Sequence, residues 1–251
     1  YAHELGRLHL EQTFPEEVTT ECYENLTQDL AEKAIYEAIR KDCNIIFTTT
    51  PEFVKASVQA AIDHPNVKIL NCSLNTSHRY IRTYYARMYE AKFLMGAVAG
   101  AMSENGQLAY IADYPIFGTI ANINAFALGA KMINPRARVY LEWSTLKDVD
   151  IRLAMENVQK KGVTVVSGKD MVIPEDASRY FGLYHLTEEG PHNLAMPLWH
   201  WGKFYEQLIR TIMDGTWKYD DNKDETKAIN YWWGLSAEVI DVIYSQKLPI
   251  G

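Results

Sequence analysis

Side chains suited to holding a small ligand follow two predicted strands of this chain. Asp113 and Tyr114 come directly after the apolar run at residues 108–112. Lys169 and Asp170 follow the apolar run at residues 163–167, with Gly168 between. In open parallel sheets, ligands bind outside the carboxyl ends of the strands, so these positions predict ligand contacts. Lys169 and Asp170 could also act as a base and an acid, although charged residues are common in loops.

Aromatic rings also gather near predicted strand ends. Phe53 lies just beyond one strand, and Trp199 and Trp201 flank His200 where a helix is predicted to begin. Such rings can stack on a planar ligand, a contact worth roughly 1 to 3 kcal/mol per base. The alternative for Trp199 and Trp201 is packing in the core, and the sequence leaves both interpretations open.

The chain carries no recognised catalytic signature. It has no G-x-S-x-G elbow, no phosphate-binding P-loop, no G-x-G-x-x-G after a strand and no H-E-x-x-H zinc motif. His185, His192 and His200 would form a metal site only if the fold gathered them. Cys22, Cys43 and Cys72 are too widely spaced for a C-x-x-C pair and are expected to be buried thiols. The pattern favours binding over catalysis, with no cofactor and no metal.

Composition argues against two classes of partner. The 251 residues carry a formal net charge of -7 and no basic patch, whereas contacts to nucleic acid phosphates need clustered Lys and Arg. The longest apolar run, at residues 93–102, covers about half of the roughly 20 residues that cross a bilayer, so no transmembrane segment is expected.

Residues 1–10 lack the pattern of a signal peptide, and the chain is expected to begin inside a fold.

An alternation of predicted strands and helices positions these residues. Apolar, β-branched runs predict the strands, and apolar residues at a helical period predict the helices between them. Such alternation implies parallel sheets with right-handed crossovers. Gly96 and Gly100 lie four residues apart in one predicted helix and would permit close approach of another backbone. The predicted strands are residues 44–49, 67–71, 79–85, 108–112, 139–143, 163–167, 179–186, 229–235 and 239–244.

Several motifs along the chain resemble one known family. They are Tyr89-Glu90-Ala91, Gly96-Ala97-Val98-Ala99-Gly100, Leu108-Ala109-Tyr110-Ile111-Ala112, Ile123-Asn124-Ala125-Phe126-Ala127-Leu128-Gly129-Ala130, Trp199-His200-Trp201-Gly202 and Tyr231-Trp232-Trp233-Gly234-Leu235. Their order and spacing are similar to those of the basic membrane protein family of ABC-transporter substrate-binding lipoproteins, the PnrA-like purine nucleoside binders. The likeness extends over nearly the whole chain.

The resemblance implies a fold and a function. The fold is the α/β type I periplasmic-binding-protein fold, with two Rossmann-like lobes of parallel sheets, a hinge and a ligand in the inter-lobe cleft. By analogy, residues 1–86 plus 191–222 form the N-terminal lobe, and residues 87–190 plus 223–251 form the C-terminal lobe. The implied function is capture of a purine base or nucleoside by lobe closure for an ABC permease, in an extracytoplasmic, lipid-anchored protein.

The resemblance also implies which residues contact the ligand. In the family, aromatic rings sandwich the purine, and polar groups contact its edge and any ribose. The positions of this chain that match cleft-facing segments of the family are Thr49, Thr50, Phe53, Asp113, Tyr114, Lys169, Asp170, Trp199 and Trp201.

The chain departs from the family pattern at two places. Its opening residues, Tyr1-Ala2-His3-Glu4, match only the tail of the family's first strand-and-loop motif, so the first strand is expected to be missing. Thr145-Leu146-Lys147-Asp148 stands where the family has W-F-D-P. Three unpaired cysteines and the lack of a visible leader leave an alternative, which is a cytoplasmic ligand-sensing domain of a regulatory protein with the same fold.

Overall fold

Two units of α/β structure make up the chain. Unit 1 contains Tyr1–Ala86 and His200–Val239, and unit 2 contains Arg87–Trp199 and Ile240–Gly251. The chain therefore passes from one unit to the other after Ala86, after Trp199 and after Val239. The computed structural model describes residues 1–74, 78–113, 117–144, 151–170, 178–217, 228–246 and 248.

Helices and strands alternate through most of both units. The helices are α1 (Ala2–Thr13), α2 (Gln28–Arg40), α3 (Val54–Asp63), α4 (Met88–Met102), α5 (Phe117–Ile133), α6 (Ile151–Lys160) and α7 (Trp201–Met213). The strands are β1 (Ile45–Thr48), β2 (Lys68–Cys72), β3 (Arg82–Ala86), β4 (Gln107–Ala112), β5 (Arg138–Trp143), β6 (Val165–Ser167), β7 (Leu183–Thr187), β8 (Gly190–Trp199), β9 (Asn230–Trp233) and β10 (Ile240–Tyr244). Short 3₁₀ turns lie at Pro51–Phe53 and Leu235–Ala237.

The sheet of unit 1 is entirely parallel. Its strand order is β1-β2-β3-β9. Thr48 of β1 lies opposite Asn71 of β2, and Trp233 of β9 lies opposite Ala86 of β3. Because all the strands run in one direction, their carboxyl ends lie along one edge. No strand is described before β1, so β1 is an outer strand of the sheet in the described part of the chain.

Apolar side chains cover both faces of the unit 1 sheet. On one face, Ile69 and Ile81 pack with Ile35 of α2 and Ala60 of α3. On the other face, the ring of Tyr84 stacks on Phe204 of α7, with ring centroids 4.8 Å apart. Successive side chains of a strand point to opposite faces of the sheet. The sheet can therefore pack against α2 and α3 on one face and against α7 on the other.

The sheet of unit 2 is mixed. Its strand order is β10-β8-β7-β6-β4-β5. β4 is parallel to β5 and to β6, whereas β7 is antiparallel to β6 and β8 is antiparallel to β7. The two reversals return β8 to the direction of β6. The predicted parallel arrangement is confirmed for β5, β4 and β6, and a β-hairpin extends it.

The sequence pattern predicts no strand where β8 lies. β8 contains Pro191 and Pro197, and proline interrupts the pattern by which strands are recognised. β8 pairs with β7 and β10 in unit 2, and β9 pairs with β3 in unit 1. The units therefore divide after Trp199 and Val239, where the family resemblance implies divisions after residues 190 and 222. The division after Ala86 is the same in both.

Helices α4 and α5 pack closely through glycines. A Cβ atom added to Gly96 would lie 2.0 Å from the carbonyl oxygen of Phe126, and one added to Gly129 would lie 2.0 Å from that of Phe93. Gly100 faces Ala130 in the same way, at 2.6 Å. Only glycine fits at such distances. The predicted close approach at Gly96 and Gly100 is confirmed, and α5 is the partner.

Candidate functional site

Four of the predicted ligand contacts lie on one edge of the unit 2 sheet. Asp113 follows β4, Lys169 and Asp170 follow β6, and Trp199 is the last residue of β8. β4 and β8 both run in the direction of β6. The fold thus brings together the carboxyl ends of strands from distant parts of the chain, as expected for a site in a parallel sheet. Tyr114 lies outside the described residues.

A buried lysine holds Asp170 at this edge. Lys92 of α4 donates a hydrogen bond from Nζ to Asp170 Oδ1, and the same Nζ lies 3.5 Å from Ser167 Oγ. The Lys92 side chain is 0% exposed, whereas that of Asp170 is 17% exposed. Burial raises the pKa of Asp170 above its usual range, and the Lys92 cation opposes that rise. Asp170 is therefore the accessible member of the pair.

Asp113 adds a second carboxylate beside Asp170. It is exposed, and its Oδ1 accepts a hydrogen bond of 2.8 Å from Ser144 Oγ after β5. Burial holds the pKa of the Tyr110 hydroxyl well above its usual range, with further contributions from the charges of Asp170 and Asp113. Both carboxylates therefore raise the pKa of the same buried hydroxyl. With exposed Lys169 at its rim, the edge offers mainly hydrogen-bond acceptors, which suit N–H and O–H donors of a ligand.

The unit 1 candidates follow β1. Thr49 is exposed, Thr50 is half-buried, and Phe53 is buried at 9% exposure. Pro51 begins the 3₁₀ turn, since its fixed φ angle suits the first helical position. The hydroxyl of Thr50 accepts from the amide of Glu52 at 3.5 Å and caps the turn. Thr49 and Thr50 therefore lie at the carboxyl edge of the unit 1 sheet, while most of Phe53 is covered.

A buried amide ties this turn to the neighbouring strand. Asn71 of β2 donates from Nδ2 to Thr48 Oγ1 and to the carbonyl oxygen of Thr50, both at 2.8 Å. Thr48 Oγ1 lies 2.9 Å from Ser57 Oγ, which donates to the carbonyl oxygen of Phe53 at 2.8 Å. Reversing the Asn71 amide would place its oxygen against the carbonyl oxygen of Thr50, so the network determines the amide's orientation.

Sequence reasoning misses Asn71 and the nearby Ser73. Asn71 Oδ1 and Ser73 Oγ are buried, and neither has a hydrogen-bond partner in the described part of the chain. Buried polar atoms are nearly always paired in proteins, so this end of β2 has unused hydrogen-bonding capacity. One signal was present in the sequence, because Asn71 is a polar residue that directly follows Ile69 and Leu70 at the end of an apolar strand.

The two tryptophans at the start of α7 occupy different settings. Trp199 is half-buried at the end of β8, whereas Trp201 is 5% exposed in unit 1. The Trp201 ring lies edge-on to Tyr84, with centroids 5.3 Å apart, and contacts Phe204 at 6.5 Å. Of the interpretations that the sequence leaves open, core packing describes the surroundings of Trp201. Trp199 keeps a partly exposed ring at the unit 2 edge.

The three cysteines differ in exposure. Cys72 is buried, as expected, and burial raises the pKa of its thiol to about 12. Cys43 is half-buried and Cys22 is exposed, so the expectation of a buried thiol is wrong for Cys22. Cys22 lies in an irregular segment before α2, where its Sγ is 3.6 Å from Glu4 Oε2.

Two further kinds of feature are absent from the described residues. No group of three or more His, Cys, Asp or Glu side chains there could hold a metal ion. His185 and His192 are paired across β7 and β8 in unit 2, while His200 belongs to unit 1. Among the described helices, none has both the length and the hydropathy that spanning a bilayer requires.

Comparison with known proteins identifies relatives of the sequence. Residues 1–173 match the family model described as ABC transporter substrate-binding protein, PnrA-like. A purine-binding protein of Brucella abortus (strain 2308) is 26% identical over 99% of this chain and 72% of that protein. A Haloferax volcanii protein, named as a candidate glucose-binding protein of an ABC transporter, is 25% identical over 95% of this chain and 61% of that protein.

Solved structures share the fold. A transcriptional activator of the comK gene from Bacillus halodurans superposes with a TM-score of 0.75 at 16% identity, over 99% of this chain and 87% of that chain. An ABC transporter solute-binding protein from Conexibacter woesei gives a TM-score of 0.74 at 12% identity, over 99% of this chain and 85% of that chain. At such identities the likeness concerns the fold, and the type I periplasmic-binding-protein fold is confirmed.

Proposed function

The chain belongs to the PnrA-like family of ABC-transporter substrate-binding proteins, and from that premise we propose that it captures a purine base or nucleoside for an ABC permease. Proteins of this family bind substrates and are not a class of enzyme. The choice of a purine is supported by the Brucella abortus relative, which is named for purine binding.

The pair of carboxylates on the unit 2 edge is the main support for this ligand. Ionised Asp113 and Asp170 can only accept hydrogen bonds. A purine base presents N–H donors, and a ribose presents O–H donors. Trp199 adds a partly exposed ring at the same edge, on which a planar base can stack. A planar ligand rich in donors matches all three side chains.

Residues of unit 1 complete the proposed set. Thr49 and Thr50 supply hydroxyls after β1, and Phe53 and Trp201, which are buried at 9% and 5% exposure, are the aromatic residues of the set. Lys169 and Tyr114 complete the contribution of unit 2. A ligand that contacts both units favours the closed arrangement. The size of this effect equals the difference between the ligand's binding free energies for the closed and the open arrangement.

The proposal includes the cellular setting. Proteins of this family typically act outside the cytoplasm, and we propose that a lipid anchor holds this protein at the membrane beside its permease. The same fold occurs in a transcriptional activator, so a cytoplasmic sensing domain is the second candidate. Residues encoded upstream distinguish the two, because a lipobox cysteine after a hydrophobic leader means transport and a fused DNA-binding domain means sensing.

Titration calorimetry on the full-length protein tests the ligand. Adenine, adenosine and guanosine are the test ligands, and glucose is the comparison ligand because one relative is named for it. Heat of binding from at least one purine, with none from glucose, supports the proposal. Heat from glucose alone, or from no ligand in the purine set, would overturn it.

A further inference from the structure

A fully buried lysine lies beneath the proposed ligand edge of unit 2. Lys92 lies in the second turn of α4, a helix whose other buried residues are apolar or glycine. Its ammonium group reaches Asp170, which lies 78 positions later in the chain. The same group lies 3.5 Å from Ser167 Oγ and 5.2 Å from the centre of the Tyr110 ring.

Stability alone does not account for this ion pair. Transferring two charges from water to the interior costs several kcal/mol per ion, and the attraction between them often only offsets that cost. An apolar pair of similar volume would suit the buried side of α4 at least as well. The pair lies at the end of a strand, where ligand contacts are proposed. We therefore ascribe to the lysine an effect on the charge and orientation of the Asp170 carboxylate.

Within the described residues, one oxygen of the Asp170 carboxylate is engaged. Lys92 Nζ contacts Oδ1, and within the described residues no hydrogen bond reaches Oδ2. The Lys92 side chain is 0% exposed, whereas that of Asp170 is 17% exposed, so Asp170 is the member of the pair that lies nearer to solvent.

We infer that Lys92 is a positioning residue for ligand binding, which holds Asp170 ionised through Oδ1 and presents Oδ2 as a hydrogen-bond acceptor for the ligand. The inference rests on the proposed function, because it assigns the acceptor for the N–H or O–H donors of a purine base or nucleoside. A ligand that places a donor at Oδ2 gains a charge-assisted hydrogen bond.

The groups around Asp170 determine how its charge responds to pH. Lys92 faces it from α4, Tyr110 and Asp113 face it from β4 and the loop that follows, and Lys169 precedes it in the chain. Burial and the charge of Asp113 raise the pKa of Asp170, and Lys92 opposes them. Removing the lysine charge therefore raises that pKa further. The ionised carboxylate is the form that binds the ligand. As the pH is lowered, a variant without the lysine charge should therefore lose affinity at a higher pH than the wild type.

Two substitutions separate positioning from packing. Lys92→Met keeps much of the volume without the charge, and Lys92→Arg restores the charge. Calorimetry should show that Lys92→Met loses more purine affinity than the wild type when the pH is lowered from about 8 to about 5.5, because the pKa of Asp170 is higher without the lysine charge. Lys92→Arg should follow the wild-type profile. An equal loss of affinity at every pH would indicate packing alone and overturn the inference.

A second measurement does not need the ligand. Carbon NMR titration of the unliganded protein should give a higher Asp170 pKa in Lys92→Met than in the wild type, with Asp170→Asn identifying the resonance. If Lys92→Met does not fold, Lys92→Gln takes its place. An unchanged Asp170 pKa in the folded variant overturns the inference even if purines bind. A wild-type protein that binds no purine overturns the proposed function, and the NMR titration then still decides whether Lys92 controls Asp170.

Discussion

The ring of Trp201 stacks on that of His3, with centroids 4.8 Å apart and planes within 9° of parallel. His3 Nδ1 also lies 2.7 Å from the hydroxyl of Tyr205, which lies 3.1 Å from the hydroxyl of Tyr84. His3 and Tyr205 are 202 positions apart in the chain. The contact therefore joins the first helix of unit 1 to α7 and to β3.

Trp201→Ala is expected to destabilise the protein. The side chain is buried at 5% exposure, and truncating a buried aromatic side chain costs about 3 to 5 kcal/mol in the free energy of unfolding. Urea unfolding measures this change. Trp199→Ala is the matched control and should cost clearly less, because its ring is partly exposed. Equal costs for the two variants would contradict the observed difference in burial.

Trp199→Ala is expected to weaken purine binding by about tenfold, within the range of roughly 1 to 3 kcal/mol that stacking on one ring is worth. Calorimetry under conditions where the variant is folded measures the affinity. Trp232→Ala removes a ring that is 40% exposed in β9 and should leave the affinity nearly unchanged. An unaltered affinity in Trp199→Ala would remove this residue from the proposed site.

Asp113→Asn is expected to lower purine affinity by about tenfold or more, because hydrogen bonds to a charged acceptor contribute about 1.5 to 3 kcal/mol. Asparagine keeps the shape of the side chain and one acceptor oxygen, so folding should be unaffected. Glu104→Gln is the matched control, since it removes one exposed negative charge from a turn of unit 2. The same loss of affinity in both variants would point to net charge and not to a direct contact.

His3 is expected to make stability depend on pH. Burial lowers its pKa to about 4, from an unfolded value of about 6.5. Between these values the unfolded state binds more protons, so the contribution of His3 is complete above about pH 6.5 and declines as the pH falls toward about 4. Urea unfolding at about pH 7.5 and pH 5 should therefore show a larger loss in the wild type than in His3→Gln. Equal losses would rule out this role for His3.

Asn71→Ala is expected to lower the free energy of unfolding by about 2 kcal/mol or more. The substitution removes one buried and one partly buried hydrogen bond, and it leaves the carbonyl oxygen of Thr50 without the Asn71 donor. Purine affinity should also fall, because the turn carrying Thr49 and Thr50 loses its tie to β2. Asn124→Ala, on the exposed surface of α5, is the control and should be neutral or slightly stabilising. Comparable destabilisation by both variants would contradict the assigned role of Asn71.

Local pattern predicts many of the strands, because a strand's apolar run is visible within a few residues. The run at 139–143 becomes β5 (Arg138–Trp143), and the run at 108–112 becomes β4 (Gln107–Ala112). β8 escapes prediction because its prolines disrupt the pattern, while its pairing is supplied by strands elsewhere in the chain. The division of the chain into units follows that pairing: the units divide after Trp199 and Val239, whereas the family resemblance implies divisions after residues 190 and 222.

The sequence by itself determined the family, the α/β class and the placement of Asp113 and Asp170 after strands, since all of these depend on motifs and periods that neighbouring residues carry. Only the tertiary structure decided that Lys92 pairs with Asp170, that Asn71 holds the turn at Thr50 and that Trp201 is buried against His3. These contacts join residues 21 to 198 positions apart, from Asn71 and Thr50 to His3 and Trp201. They depend on strand order and helix packing, and a local pattern contains no information about which distant side chain will meet a buried charge, amide or ring.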